Sequence, residues 1–262
     1  MGYDKRIVVF IDILGFKDAI EKSNTDEKEF ERINETLKKL KIKFEERFLD
    51  KEALKHSIEM YDVNTDNQII QVSDSLIYSV PIIEPGGFYL FLSKCFYAMQ
   101  IILEGGFLCR GVITIGNLKH DGSLIFGDAF IRAYCEENKG GPPIIKFNEE
   151  LLQEVKKYPR KFSSEEDELK FIIEECKQKA QPNSNEYYID YFTDNDDSIK
   201  GRPEMGDQYY ETLRTKINEG LEDATKDSIL EKYNWLKEQY NIEIIKFYEK
   251  YNRGTVPIDK MI

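Results

Sequence analysis

"VVFIDILGF", Val8 to Phe16, sets one carboxylate, Asp12, inside a run of β-branched and aromatic residues. The continuous apolar stretch Ile7 to Ile13 has the pattern of a strand covered on both faces. An ionised carboxylate taken out of water costs several kcal/mol, on the order of 3–5, unless a partner, a metal or a solvent-filled cleft compensates it. Asp12 therefore either marks a functional end of the strand or is a strand-end residue bonded to nearby backbone, and Gly15, three residues on, marks the turn into a helix.

Outward from this strand the chain alternates in period. Phe30, Ile33, Leu37, Leu40, Phe44 and Phe48 recur at three- and four-residue spacing and predict an amphipathic helix. "QIIQV" and "LIYSV" flank Ser73, Asp74 and Ser75, a hairpin signal with a second carboxylate at its tip. "FYLFLSKCFYAMQIILEGG" predicts a buried helix closed by Gly105 and Gly106, "FLCRGVITIG" and "SLIFG" predict strands, and "DAFIRAYCEE" opens a helix on Asp128 before the strand-like "IIKF".

That order predicts an α+β fold of elaborated ferredoxin-like type, a mostly antiparallel sheet with helices on one face and the other face free to meet a partner. The expected catalytic domain is residues 1–148, and residues 149–262 are expected to form an acidic, helical extension. In its last helix Ile229, Tyr233, Leu236, Tyr240, Ile244, Phe247 and Tyr251 form a packing stripe.

With 37 basic against 49 acidic residues, the net charge of -12 opposes non-specific binding to nucleic acid or anionic membrane. Four scattered cysteines without a C-x-x-C pair, and two histidines, His56 and His120, argue against zinc. The "MGYDKRIVV" start carries no signal-peptide core, and Phe88 to Glu104 falls short of the ~20 apolar residues of a membrane span. A reduced, cytoplasmic protein is expected.

If the first strand and the hairpin are neighbours, Asp12 and Asp74 enter one cleft. Two carboxylates repel each other, and divalent cations remove that penalty. Mg²⁺ or Mn²⁺ suits such a pair, with waters and substrate phosphates completing the shell, and two ions would organise in-line displacement at phosphorus. The backbone N–H groups of a helix starting at Leu14, Gly15 and Phe16 would receive phosphate oxygens. Arg110 puts a cation in an apolar strand, where it must be paired or bind an anion. Arg132 is either a second phosphate contact or a solvated helix residue. Ser73 and Ser75 either orient Asp74 and the nucleotide or only bond within the turn.

"FIDILGF", "QVSDSLIYS", "RGVITIG" and "FGDAFIRAYCEE", in this order between Ile7 and Glu137, resemble the class III nucleotidyl cyclases, most closely the bacterial Pycsar anti-phage cyclases that make cyclic pyrimidine nucleotides. The resemblance implies metal ligation by Asp12, the Ile13 carbonyl and Asp74, two metal ions, a nucleoside triphosphate substrate, a homodimer, and a product read by a separate effector. Purine-specific members read the base with Lys or Glu four residues before the second aspartate, where this chain has Ile70. They place a transition-state Asn and Arg where this chain has Ile131 and Cys135. The implied function is cyclisation of UTP or CTP. A palm-type oligonucleotide synthase and a catalytically silent nucleotide- or protein-binding module are the alternatives.

Overall fold

The computed structural model describes residues 2–45, 66–178, 185–192 and 203–262. Phe48, His56 and the polar stretch from Thr193 to Arg202 lie outside them. The chain forms two compact units, residues 1–140 with 144–193, and residues 141–143 with 194–262.

Unit 1 carries the sheet. Its elements are β1 (Asp4–Leu14), α1 (Phe16–Ser23), α2 (Glu27–Glu45), β2 (Gln68–Val72), β3 (Ser75–Pro81), α3 (Gly87–Glu104), β4 (Leu108–Asp121), β5 (Leu124–Phe126), α4 (Asp128–Glu137), β6 (Ile145–Asn148), α5 (Glu149–Val155), α6 (Glu165–Glu174), β7 (Lys177–Gln178) and β8 (Glu186–Ile189). The strand order is β2-β3-β1-β4-β6-β8-β7, with β5 paired to β4. All pairings are antiparallel except β4 with β6. The sheet thus runs on past residue 148, the boundary expected from sequence.

β1 is central, which is why its apolar run does not alternate. Ile7, Val8, Val9, Phe10, Ile11 and Ile13 are all buried. Odd-numbered β1 residues share a face with Tyr78, whose ring packs on Phe44 of α2 at 4.9 Å and Phe91 of α3 at 5.2 Å. Even-numbered residues face the other way. There Phe10 meets Phe130 and Tyr134 of α4 at 6.2 and 5.6 Å, and Val8, Phe10, Ile77, Leu118, Ala129 and Ala133 form a second apolar cluster. The α+β architecture is as expected, with one addition: α4 lies on the face opposite α2 and α3, because β1 is apolar on both sides and both must be covered. Gly111 makes the three central strands possible, since a Cβ there would sit 2.8 Å from the Phe10 carbonyl and 3.2 Å from Ile145.

The α4 face ends in a buried polar network. Arg6, fully buried, donates from Nε to Ser79 Oγ at 3.0 Å and from Nη1 to Asp66 at 2.7 Å, while Ser79 Oγ lies 2.8 Å from His120 Nδ1. Burial, and then the neighbouring Arg6 charge, push His120 down to about 4, against the opposing effects of Asp66 and Asp121.

Unit 2 contains α7 (Pro203–Asp223) and α8 (Asp227–Lys250). Leu236, Tyr240, Ile244 and Phe247 of the expected stripe are buried, and Tyr210 of α7 packs on Tyr240 and Phe247 at 5.8 and 4.8 Å. No helix among the described residues is long and apolar enough to cross a membrane.

The depressed His120 value has a measurable consequence. The folded state holds the ring neutral, so the unfolded chain binds more protons between about pH 6.5 and 4, and stability is lost as pH falls through that window. Urea unfolding at pH 7.5 and 4.5 is expected to show a loss on the order of 2 kcal/mol that is absent in His120→Gln. An equal acid loss in both proteins would contradict this assignment.

Candidate active site

Two residues beyond Phe10, Asp12 leaves the same face of β1 past the end of the apolar cluster. Its register partners are Ser75 on β3 and Arg110 on β4. Directly opposed residues of antiparallel strands share a face, with Cβ atoms about 4.5–5.5 Å apart. Ser75, Asp12 and Arg110 therefore form a row across three strands, on the α4 side.

The hairpin delivers the second carboxylate. Val72 pairs with Ser75, leaving Ser73 and Asp74 as a two-residue turn, with Ser73 at φ 56°. Ile13 N–H donates to the Asp74 carbonyl at 2.9 Å, which ties the tip to the end of β1. The sheet thus brings Asp12 and Asp74 together on adjoining strand ends, and both are half-buried.

Gly15 sits between β1 and α1 at φ 77° with no side chain capping the helix. A non-glycine residue there is strained by its backbone conformation, while an added Cβ itself meets open space. Phe16 is buried against Phe107, 6.0 Å between ring centres, so it anchors α1 and can offer a ligand only its main chain. Ile13 is likewise buried and Leu14 half-buried.

Arg110 is paired. Its Nε donates to Glu137 Oε1 at 2.8 Å and its Nη2 to the same oxygen, with both side chains largely buried. Glu137, at the end of α4, was not among the residues singled out from sequence. The only hint was an acid closing the "AYCEE" helix, where the negative end of the helix dipole disfavours it. Arg132 is not brought to this end. It reaches back to the Ile115 carbonyl and lies 3.8 Å from Asp128. Ile115 is five residues along β4 from Arg110, on the order of 17 Å at the strand rise. α4 runs back along β4, so its first and last turns lie over opposite ends of that strand.

Ile70 and Ser73 meet on the wall of one groove of about 530 Å³, with Leu37 and Lys41 of α2, Ile69, Gln71, Gly122 and Ser123. Ile70 is half-buried and packs against the α4-face cluster. Cys109, opposite Ile13, is no nucleophile: burial pushes its thiol up to about 12, helped by the Asp12 charge and opposed by a bond from Tyr191.

Among the described residues no three His, Cys, Asp or Glu side chains converge as a closed metal site. Asp12, Asp74 and the adjacent main chain offer oxygen only, from two carboxylates on adjoining strand ends. That donor set fits Mg²⁺ or Mn²⁺, which retain waters and take substrate phosphates, and does not fit a structural zinc.

No family model matches the chain. No curated protein matches it. Solved structures do align. The adenylyl cyclase CyaB from P. aeruginosa aligns at 15% identity over 72% of this chain and 95% of its own, with a TM-score of 0.44. A guanylyl cyclase domain from Blastocladiella emersonii aligns at 18% over 71% and 94%, with a TM-score of 0.38. An adenylate/guanylate cyclase/hydrolase from Silicibacter pomeroyi aligns at 14% over 72% and 99%, with a TM-score of 0.35. All three lie below a TM-score of 0.5, and the functional reading rests on this chain's own residues.

Gly15→Val is expected to lower the unfolding free energy by roughly 1–2 kcal/mol, through the left-handed backbone alone. An unchanged denaturation midpoint would show that the turn relaxes without strain.

Proposed function

We propose that this chain is a nucleotidyl cyclase acting on a pyrimidine nucleoside triphosphate. The observation that carries it is the pairing of β1 with β3, which sets Asp12 beside the hairpin tip that bears Asp74. In this reading Asp12, Asp74 and the Ile13 carbonyl hold two Mg²⁺ or Mn²⁺ ions. Bound there, the ions would lower the pKa of the ribose 3′-hydroxyl and screen the phosphates. The uncapped start of α1, Leu14 to Phe16, receives phosphate oxygens, and Arg110 supplies fixed positive charge beside them. The 3′-hydroxyl gives its proton to solvent, its oxygen forms a bond to the α-phosphorus, the bond from that phosphorus to the bridging oxygen breaks, and pyrophosphate leaves.

Base choice follows from Ile70. At the base reader's position it offers no hydrogen bond, so the base is selected by shape and by polar groups elsewhere on the groove, among them Gln71, Ser73 and Ser123. An apolar wall alone discriminates by about 10- to 200-fold. UTP is favoured over CTP by the Pycsar resemblance, which also suggests a defence signal read by a separate effector. Assembly as a homodimer is supported by exposed apolar side chains of α4 on the Asp12 face, Ile131 and Tyr134. A silent nucleotide-binding module is the second reading. It is favoured by Ile131 and Cys135 standing where purine cyclases carry Asn and Arg, and by the distance of Arg132 from Asp12.

Incubation with each nucleoside triphosphate and Mn²⁺, followed by mass spectrometry, is expected to give a 3′,5′-cyclic pyrimidine nucleotide and pyrophosphate. Asp12→Asn and Asp74→Asn are expected to fold normally and to fall below about 1% of parental turnover. Linear oligonucleotides would instead indicate a synthase, and nucleotide binding without product a silent module. Cyclisation of ATP in preference to UTP and CTP would refute the pyrimidine assignment.

A further inference from the structure

β2 is an edge of the sheet, and it is unguarded. From Gln68 to Val72 it holds no charge and no proline, and its one-to-one register with β3 leaves no bulge. Those are the devices that keep a free strand edge from pairing with another chain. The opposite edge has them, since β7 is two residues long and carries Lys177. Among the described residues β3 is the one strand that pairs with β2, so alternate main-chain N–H and C=O groups of β2 point outward.

Ile69 and Gln71 stand opposite Tyr78 and Leu76 and share the α2 side, whereas Ile70 and Val72 stand opposite Ile77 and Ser75 and share the α4 side. The groove of about 530 Å³ takes in Ile69, Ile70 and Gln71 together, so it follows the open edge rather than one face. Its end is closed where Gly122 N–H donates to Gln68 Oε1 at 2.9 Å.

Charge decides what fits there. α2 carries Lys38, Lys39, Lys41 and Lys43 with no acid between Glu35 and Glu45, in a chain of net charge -12. Lys41 lines the groove, Lys38 lies one turn before it, and Lys38 and Lys39 make no ion pair among the described residues. A second copy pairing β2 with β2 about a two-fold axis would set these lysines against their own kind, whereas an acidic strand is attracted.

We propose that the β2 edge is a docking site for an extended acidic segment of a partner protein, which adds to the sheet as a further strand. Residues opposed across a strand junction share a face, so the segment alternates. Acidic side chains stand opposite Ile69 and Gln71, toward the α2 lysines, and apolar ones stand opposite Ile70 and Val72, the latter 61% exposed. Binding does not depend on the nucleotide reading. A strand seated here would cover Ile70 and Ser73 and so exclude a base from the groove.

The probe is a fluorescein-labelled peptide of about eight residues alternating valine and glutamate, titrated with the full chain and followed by fluorescence anisotropy. Saturable binding is expected, weakened at least about 10-fold by Lys38→Glu combined with Lys41→Glu, both exposed. Lys139→Glu combined with Lys170→Glu makes the same change in net charge elsewhere on the surface and is expected to stay within about 2-fold of the parent. Strand addition has its own signature. N-methylation of the valine amides and of the glutamate amides blocks opposite edges of the peptide, so one is expected to cost about 10-fold and the other less than about 3-fold.

Unchanged affinity in both N-methylated peptides, equal weakening by the two lysine pairs, or no saturation below about 1 mM protein would overturn the proposal. A dimer that sedimentation shows to dissociate in Val72→Lys would assign the edge to a second copy and overturn it as well.

Discussion

One main-chain hydrogen bond, from Ile13 N–H to the Asp74 carbonyl, continues the β1–β3 ladder onto the tip of the hairpin, and the candidate site depends on that register. Side chains alternate strictly along a strand, so a slip of one residue would turn every β1 side chain to the other face. Val8 and Phe10 would then leave the α4 cluster, and Asp12 would turn toward the α2 and α3 side. The apolar packing that stabilises the sheet and the placement of the carboxylate are therefore one constraint. This answers why a core strand carries an aspartate: Asp12 belongs to the face, but stands just past the end of its apolar cover.

Electrostatics at that end follow from the same geometry. Asp12 stands opposite Arg110 across the β1–β4 pair, and Asp74 sits on the adjoining hairpin tip. Glu137 takes that cation in a largely buried pair. Asp12 and Asp74 stand half-buried in a chain of net charge -12, where a bound divalent ion would relieve repulsion between them. An anionic ligand would be repelled by these carboxylates, and a bound divalent ion would invert the local field. The acidic character that disfavours nucleic acid is thus compatible with a nucleotide site.

Much of this was legible in the sequence. The element order from β1 to β6 is carried by period and by punctuation at Gly15, Ser73–Ser75, Gly105–Gly106 and Asp128, because local sterics dictate those features. The position of Asp12 was legible too, since a carboxylate in an apolar strand contradicts its surroundings. α4 was expected on the face of the other helices, because its own amphipathic pattern says that one side is buried and not against which face of the sheet. Strands β7 and β8 were hidden by their brevity. For Arg132 helical spacing leaves a phosphate contact and a solvated helix residue both open, and the direction in which α4 crosses β4 sets its side chain on the Ile115 carbonyl, away from Arg110. Glu137 was passed over because its ion pair is with Arg110, 27 residues away in sequence.

The central claim is that Asp12 and Asp74 jointly hold divalent metal for a nucleotide. Its most direct test is an anomalous difference map from crystals grown with Mn²⁺ and a UTP analogue lacking the 3′-hydroxyl. The account predicts two manganese peaks, each within about 2.6 Å of carboxylate oxygens of Asp12 and Asp74 and bridged by the triphosphate. A bound analogue whose metal lies away from both aspartates, or crystals in which neither aspartate approaches manganese, would contradict it.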